Sequence, residues 1–411
     1  MSRTKDTLAL LNTRKANHSL TQAFYNAPEI FETDLQQIFY KDWLFAAPAC
    51  EIPKAGNYVS FQVGSYPVLI VRGADGQIRA FHNSCRHRGS RLCSAARGSA
   101  PKIVCPYHQW TYELDGKLLF ARDMGSDFEV AAHGLKPVHC REVGGLVFIC
   151  LAPEAPDFEE LDAYARRYLA PHRLNDTKVA FESTIVENGN WKLVLENNRE
   201  CYHCTGSHPS LCRTFSDSPA VTGVGLENLD AEAKGYWERC EAANLPSSFH
   251  LEPEGQWRLA RVPLLGAAES FTLDGKAAVK RLLGDMPFRN AGSLLFFHFP
   301  TSWNHFLSDH AVVFRVLPKS PTETEVTTKW LVHKDAVEGV DYDLKRLTEV
   351  WMATNDEDRR VVEENQIGVN SPVYEPGPYS ELHEGGVIQF IDWYCSRLSE
   401  RLSDQHAALE A

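Results

Sequence analysis

Two short stretches constrain this chain more than any other feature: Cys85-Arg86-His87 and Cys105-Pro106-Tyr107-His108. Each sets one thiol beside one imidazole at a spacing that a loop tip can present. A fold that uses them must bring two such tips together around metal. Two sulfurs and two nitrogens suit a tetrahedral zinc ion. They equally suit a two-iron cluster with both cysteines on one iron and both histidines on the other, where imidazole in place of anionic thiolate raises the reduction potential. Common zinc signatures use Cys-x-x-Cys and His-x-x-x-His pairs, which this alternating order does not match.

The cysteine count sharpens the point. The chain has 11 cysteines among 411 residues, and its first residues show no apolar leader, so a secretory signal is not expected. An odd number of cysteines in a reducing cytoplasm reads as thiols rather than a disulfide framework. Two are then reserved for metal, and the rest, Cys93, Cys201 and Cys204 among them, are expected to be ordinary thiols. Residues 146–151 form an apolar run of core-strand length, and no run approaches a membrane span. A formal charge of -12 disfavours nucleic acid and anionic membranes as partners.

Both metal-type stretches sit in a region of short strand patterns. Residues 58–63, 67–72 and 78–82 read as strands, with a turn at Ala74-Asp75-Gly76. Residues 111–114 and 118–120 can pair around Asp115-Gly116. Residues 42–152 are therefore expected to form an all-β unit, preceded by an N-terminal helical segment over 1–41. From 153 to 411 the pattern turns to α+β. Helices are expected over 157–169, 191–204, 342–366 and 387–402, and strands over 178–187, 310–317 and 323–333.

A second constellation lies in that later part. The helix starting at Trp191 runs into Glu200-Cys201-Tyr202-His203-Cys204, with His208 shortly after. His203 and His208 are five apart, too far round for one face of a continuous helix. They can converge if the helix breaks, which Gly206 and Pro209 permit. A carboxylate from Asp356-Glu357-Asp358 would complete a two-histidine, one-carboxylate face that leaves iron positions open for oxygen and substrate. A zinc knuckle of Cys201, Cys204, His208 and Cys212 is the rival reading.

Taken in order, these motifs resemble the oxygenase component of the Rieske non-haem iron oxygenases. The resemblance implies an all-β Rieske domain inserted into a helix-grip-like α+β catalytic domain with an antiparallel sheet. It implies a [2Fe-2S] cluster on Cys85, His87, Cys105 and His108, and a mononuclear Fe(II) on His203, His208 and Asp358, with Asp356 as the fallback. Glu200 falls where the family has a carboxylate linking a cluster histidine of one subunit to an iron ligand of its neighbour. Ring-hydroxylating members usually carry aspartate there. The family also implies O2 as co-substrate, electrons from NAD(P)H through a separate flavin or ferredoxin-type reductase, a homotrimer and a cytoplasmic location.

Further stretches resemble the quaternary-ammonium branch, and within it the glycine betaine demethylases. They are Phe81-His82-Asn83-Ser84-Cys85, Glu196-Asn197-Asn198-Arg199-Glu200-Cys201-Tyr202-His203-Cys204, Thr328-Lys329-Trp330-Leu331-Val332-His333-Lys334 and Glu375-Pro376-Gly377-Pro378-Tyr379-Ser380-Glu381. The resemblance implies N-demethylation of glycine betaine to dimethylglycine and formaldehyde. Stachydrine or carnitine demethylation and aromatic-ring dioxygenation are the alternatives. A quaternary cation calls for aromatic faces. Tyr202, Phe215, Trp303 and Phe306 are candidates, and His305, Asn304 or an arginine could meet a substrate carboxylate.

Overall fold

The computed structural model describes residues 2–216 and 231–410. Its chain divides into two compact units, residues 39–157 and residues 1–38 with 158–411.

The smaller unit is built on an antiparallel sheet of seven strands in the order Leu44–Pro48, Leu146–Cys150, Pro137–Val143, Ile78–His82, Tyr66–Arg72, Asn57–Val63 and Arg97–Ser99. A second, three-stranded sheet is formed by Ile103–Val104, Thr111–Tyr112 and Leu118–Phe120. Gly116 makes the tight turn before its last strand at φ +88°, a conformation open to glycine at little cost. Leu69, Val71, Phe81, Ile103, Trp110 and Tyr112 form a core in which Cys85 and Cys105 are buried. The two candidate cysteines are thus rooted in packed side chains, while their histidines lie further along the same loops.

The larger unit is an α+β layer. Its antiparallel sheet runs Thr177–Glu187, Glu323–His333, Ala311–Ser320, Ser302–Phe306, Ser293–His298, Trp257–Val262 and His250–Leu251. The long helix Leu344–Val369 is tied to this sheet by Asn355, whose amide donates to Thr328 Oγ1 at 2.9 Å. Its Glu363 and Gln366 accept the backbone N–H groups of Asn188 at 3.0 Å and Asn190 at 2.8 Å. Those bonds fix the loop that launches the helix Trp191–Asn198, and Asn190 caps it by accepting from Lys192 N–H at 2.9 Å. Such a cap contributes about 1 kcal/mol.

Asp34, wholly buried, joins the N-terminal segment to the same helix. It accepts from Trp191 Nε1 at 2.9 Å, from Tyr394 Oη at 2.6 Å and from the buried Lys192 ammonium. A buried carboxylate with a cation and two further donors has its desolvation offset. Among the described residues no helix is long and apolar enough to cross a membrane.

Candidate functional site

In the smaller unit the two Cys/His loops share one backbone design. Cys85 N–H donates to Ser90 O and Cys105 N–H to Trp110 O, both at 2.8 Å. Gly89 N–H returns to Cys85 O and Gln109 N–H to Cys105 O, both at 3.0 Å. The fourth residue after each cysteine is left-handed, Gly89 at φ +75° and Gln109 at φ +55°. This matched turning aims both loops alike and brings the His87 and His108 rings to 4.6 Å between centroids. His87 stacks on Trp110 at 4.8 Å. His108 Nδ1 is buried with no hydrogen-bond partner among the described residues, a costly state for a ring nitrogen unless it ligates a metal. Tyr112 Oη lies 3.2 Å from Cys85 Sγ and accepts the Arg86 N–H at 3.0 Å. Burial, first of all, raises the Cys85 thiol, and Cys105 beside it adds to that effect. Two adjacent buried thiols next to two imidazoles fit a metal cluster, whose positive charge would hold them as thiolates.

In the larger unit the helix breaks before both histidines rather than between them at Gly206. The helix ends at Asn198, and His203 and His208 flank a single helical turn, Cys204–Ser207. The expected continuous helix over 191–204 is thereby corrected. Glu200 supplies the reason: its carboxylate accepts the N–H groups of Tyr202 and His203. Amides that would otherwise bond one helical turn back are satisfied locally. The same turn brings the Cys201 and Cys204 Cα atoms to 4.8 Å, and the two form a disulfide. They are therefore not the ordinary thiols expected from composition, because the reversal of direction puts them within bridging range.

Three donor atoms converge beside that turn. His203 Nε2 and His208 Nε2 are 3.0 Å apart, and Asp358 Oδ1 lies 3.3 Å from the first and 3.0 Å from the second. Atoms bonded to one metal at about 2.1 Å and at right angles lie about 3 Å from each other. The triangle therefore fits one face of a six-coordinate ion. The outward nitrogen of each ring is held by a second carboxylate: Glu200 Oε1 is 2.5 Å from His203 Nδ1, and Glu357 Oε2 is 2.8 Å from His208 Nδ1. Such partners fix the tautomer that leaves Nε2 free to ligate. Burial works to lower both histidine pKa values. For His203 the carboxylates of Asp358 and Glu200 outweigh it and raise the ring to about 9. For His208 Asp358 and Glu357 do the same. A metal bound here would displace protons and be held less tightly as pH falls.

Asp358, Thr354 and Trp351 lie on one face of the long helix, at the i, i+4, i+7 spacing read from its C-terminal end. All three line a cavity with His203 and His208. Asp356, by contrast, is exposed and pairs with Arg359 at 3.0 Å. Glu357 does not stand out in the sequence, since three consecutive acidic residues on a helix resemble a solvated face.

The substrate candidates divide. Phe215 and His305 line the cavity together with Trp351, Phe297, Arg199 and Arg258. Tyr202 is 63% exposed and stacks on His383 at 4.6 Å, away from the cavity lining. Trp303 is packed against Phe314 at 5.1 Å inside the core. Phe306 follows His305 on the strand and so faces the opposite side of the sheet, toward His172 at 5.7 Å. Asn304 bridges strands, accepting Phe314 N–H at 3.2 Å. Burial drives His305 down to about 3, so its ring is neutral beside any bound cation.

Comparison with known proteins gives matching results along the whole chain. The model of the ring hydroxylating alpha subunit catalytic domain matches residues 161–400, and that of the Rieske [2Fe-2S] domain matches residues 42–132. Glycine betaine monooxygenase oxygenase subunits from Chromohalobacter salexigens and Pseudomonas aeruginosa are each 50% identical to it. The first covers 98% of this chain and 91% of its own length, the second 98% and 94%. A crystal structure of a quaternary ammonium Rieske monooxygenase with L-carnitine superposes with a TM-score of 0.70 at 22% identity, over 95% of this chain and 98% of that one.

Proposed function

Since the chain belongs to the Rieske oxygenases with a ring hydroxylating alpha subunit catalytic domain, we propose that it removes a methyl group from glycine betaine by oxygen-dependent hydroxylation. The observation that carries this reading is the 3.0–3.3 Å triangle of His203, His208 and Asp358 at the wall of a cavity lined by aromatic rings.

The chemistry explains why a redox pair of metal centres is needed. A quaternary nitrogen has no lone pair, so oxidation must begin at a methyl C–H bond. Glycine betaine, O2, two electrons and two protons give dimethylglycine, formaldehyde and water. The hydroxylated methyl becomes N–CH2OH; its C–N bond breaks, the pair returns to nitrogen, and the hydroxyl proton is lost as the C=O forms. When bound, the cluster supplies electrons and the mononuclear iron activates O2.

The chain's own residues hold and orient. Cys85, His87, Cys105 and His108 would bind the cluster, and His203, His208 and Asp358 the single iron. Glu200 and Glu357 keep the two imidazoles in their ligating tautomer. Phe215 and Trp351 offer π faces to the trimethylammonium group, while the neutral His305 adds no positive charge against it. Electrons arrive from a separate reductase drawing on NAD(P)H in the cytoplasm. In a homotrimer, Glu200 would connect His203 to a cluster histidine of a neighbouring subunit.

A substrate panel tests the reading. Glycine betaine should release formaldehyde with a matching reductase faster than stachydrine, carnitine or choline do. Preference for one of those, or a dihydrodiol from an arene, would replace it.

A further inference from the structure

Two arginines in the cavity wall have no counterpart in the metal chemistry. Arg199 is 1% exposed, a burial seldom seen for a guanidinium without a paired anion, and Arg258 beside it is 4% exposed. Arg199 lies 4.1 Å over the Phe297 ring and 5.3 Å over Phe299, and Arg258 lies 4.8 Å over Phe297. Arg199 Nη2 donates to Gln389 Oε1 at 3.0 Å. The Gln389 amide nitrogen is itself fixed by donating to Gly255 O at 2.7 Å. Arg199 Nε and Nη1 are buried with no hydrogen-bond partner among the described residues. The two cavity carboxylates among the described residues, Glu200 and Asp358, are already committed to the histidines. Burial, and then the positive charge of Arg258, lower the Arg199 pKa; the two cations repel at close range.

We infer that Arg199 and Arg258 form an anion subsite that takes the carboxylate of a zwitterionic substrate whose quaternary end lies toward the metal triad. A planar guanidinium with two N–H groups to spare matches a carboxylate, and a buried charge-assisted hydrogen bond is a strong one. One anion beside the pair would satisfy the orphaned donors of Arg199 and relieve the repulsion between the guanidinia. The subsite rests on the reading of the cavity as a substrate pocket and adds a selection rule to it. Zwitterions enter favoured over simple cations of the same shape.

The test is isothermal titration of the iron-loaded protein with glycine betaine, its methyl ester and choline, beside the formaldehyde assay. Wild type should bind glycine betaine about tenfold or more tighter than the ester or choline. Formate should compete with glycine betaine. Arg199→Met and Arg258→Met should weaken glycine betaine and leave choline within about threefold of wild type. Arg258→Lys should retain part of the discrimination. Equal wild-type affinity for the three ligands, or parallel losses for all three in the variants, overturns the subsite. The wild-type ligand series decides this even if a variant fails to fold. Discrimination without formaldehyde release would overturn the demethylation reading and leave the subsite standing.

Discussion

Glu357 Oε2 sits 2.8 Å from His208 Nδ1, while the next residue, Asp358, reaches Nε2 of the same ring at 3.0 Å. One imidazole is thus gripped at both nitrogens by consecutive residues of a single helix. The outer bond would leave Nε2 unprotonated for a metal, and the inner carboxylate would share that metal.

Loss of the outer bond is the first prediction. Glu357→Ala should lower iron affinity or turnover about 10–100-fold, the range for removal of a partner behind a metal ligand. Metal analysis should show the chain falling from about three irons toward two. The visible spectrum of the cluster should remain. Bleaching of the cluster as well would mean that the two centres are not held separately.

Tyr112 Oη, 3.2 Å from Cys85 Sγ, bears on the other centre. A hydrogen bond to a cluster-bound sulfur stabilises the reduced, more negative state. Tyr112→Phe should lower the midpoint potential, about 59 mV corresponding to a tenfold change for one electron. Protein-film voltammetry reads the shift directly, and an unchanged potential would remove this role.

How much of this was readable in the sequence depends on burial. The strands of the smaller unit show, since Asp75-Gly76 and Asp115-Gly116 punctuate short apolar runs. The core strands Trp257–Val262, Ser293–His298 and Ser302–Phe306 do not, because they are buried on both faces. Two-sided burial removes the alternation that marks a strand, and Arg258, Arg261, His298 and His305 make these segments look like surface. Spacing alone could not place Asp358 rather than Asp356 in the triangle. That follows from the helix rotation, which turns Asp356 to solvent beside Arg359. Nor could composition reveal the Cys201–Cys204 bridge, which depends on the turn that Glu200 creates.

Trp351 tests the aromatic wall. It stands 4.6 Å from His305 and 5.7 Å from Phe271 between ring centroids. Trp351→Leu should raise KM for a trimethylammonium substrate about 2–30-fold, the range of one cation–π contact, with a smaller effect on kcat. His305→Lys should raise KM further by adding a fixed charge. Steady-state kinetics distinguish these from a fall in kcat alone, which would place Trp351 outside the binding site.

Glu196 sets a pH dependence of stability. Burial raises it to about 7, with the hydroxyls of Tyr25 and Tyr379, which donate at 2.8 and 2.9 Å, working the other way. Its folded pKa lies above its unfolded one, so the native state binds more protons between the two. Stability from this group is full below the unfolded value of about 4.3 and is lost as pH rises through about 7. Thermal melts of wild type should fall between about pH 5 and 7 and level off above that, and Glu196→Gln should flatten that decline. Equal slopes in the two proteins would assign the dependence elsewhere.

The most direct measurement is a single turnover of the reduced, iron-loaded protein with glycine betaine deuterated at all three N-methyl groups. Deuterated formaldehyde and dimethylglycine should appear together in equal amounts, and Asp358→Ala should abolish both while keeping the cluster spectrum. Oxygen consumption with no labelled formaldehyde, in protein carrying both metal centres, would contradict methyl hydroxylation at the His203, His208 and Asp358 site.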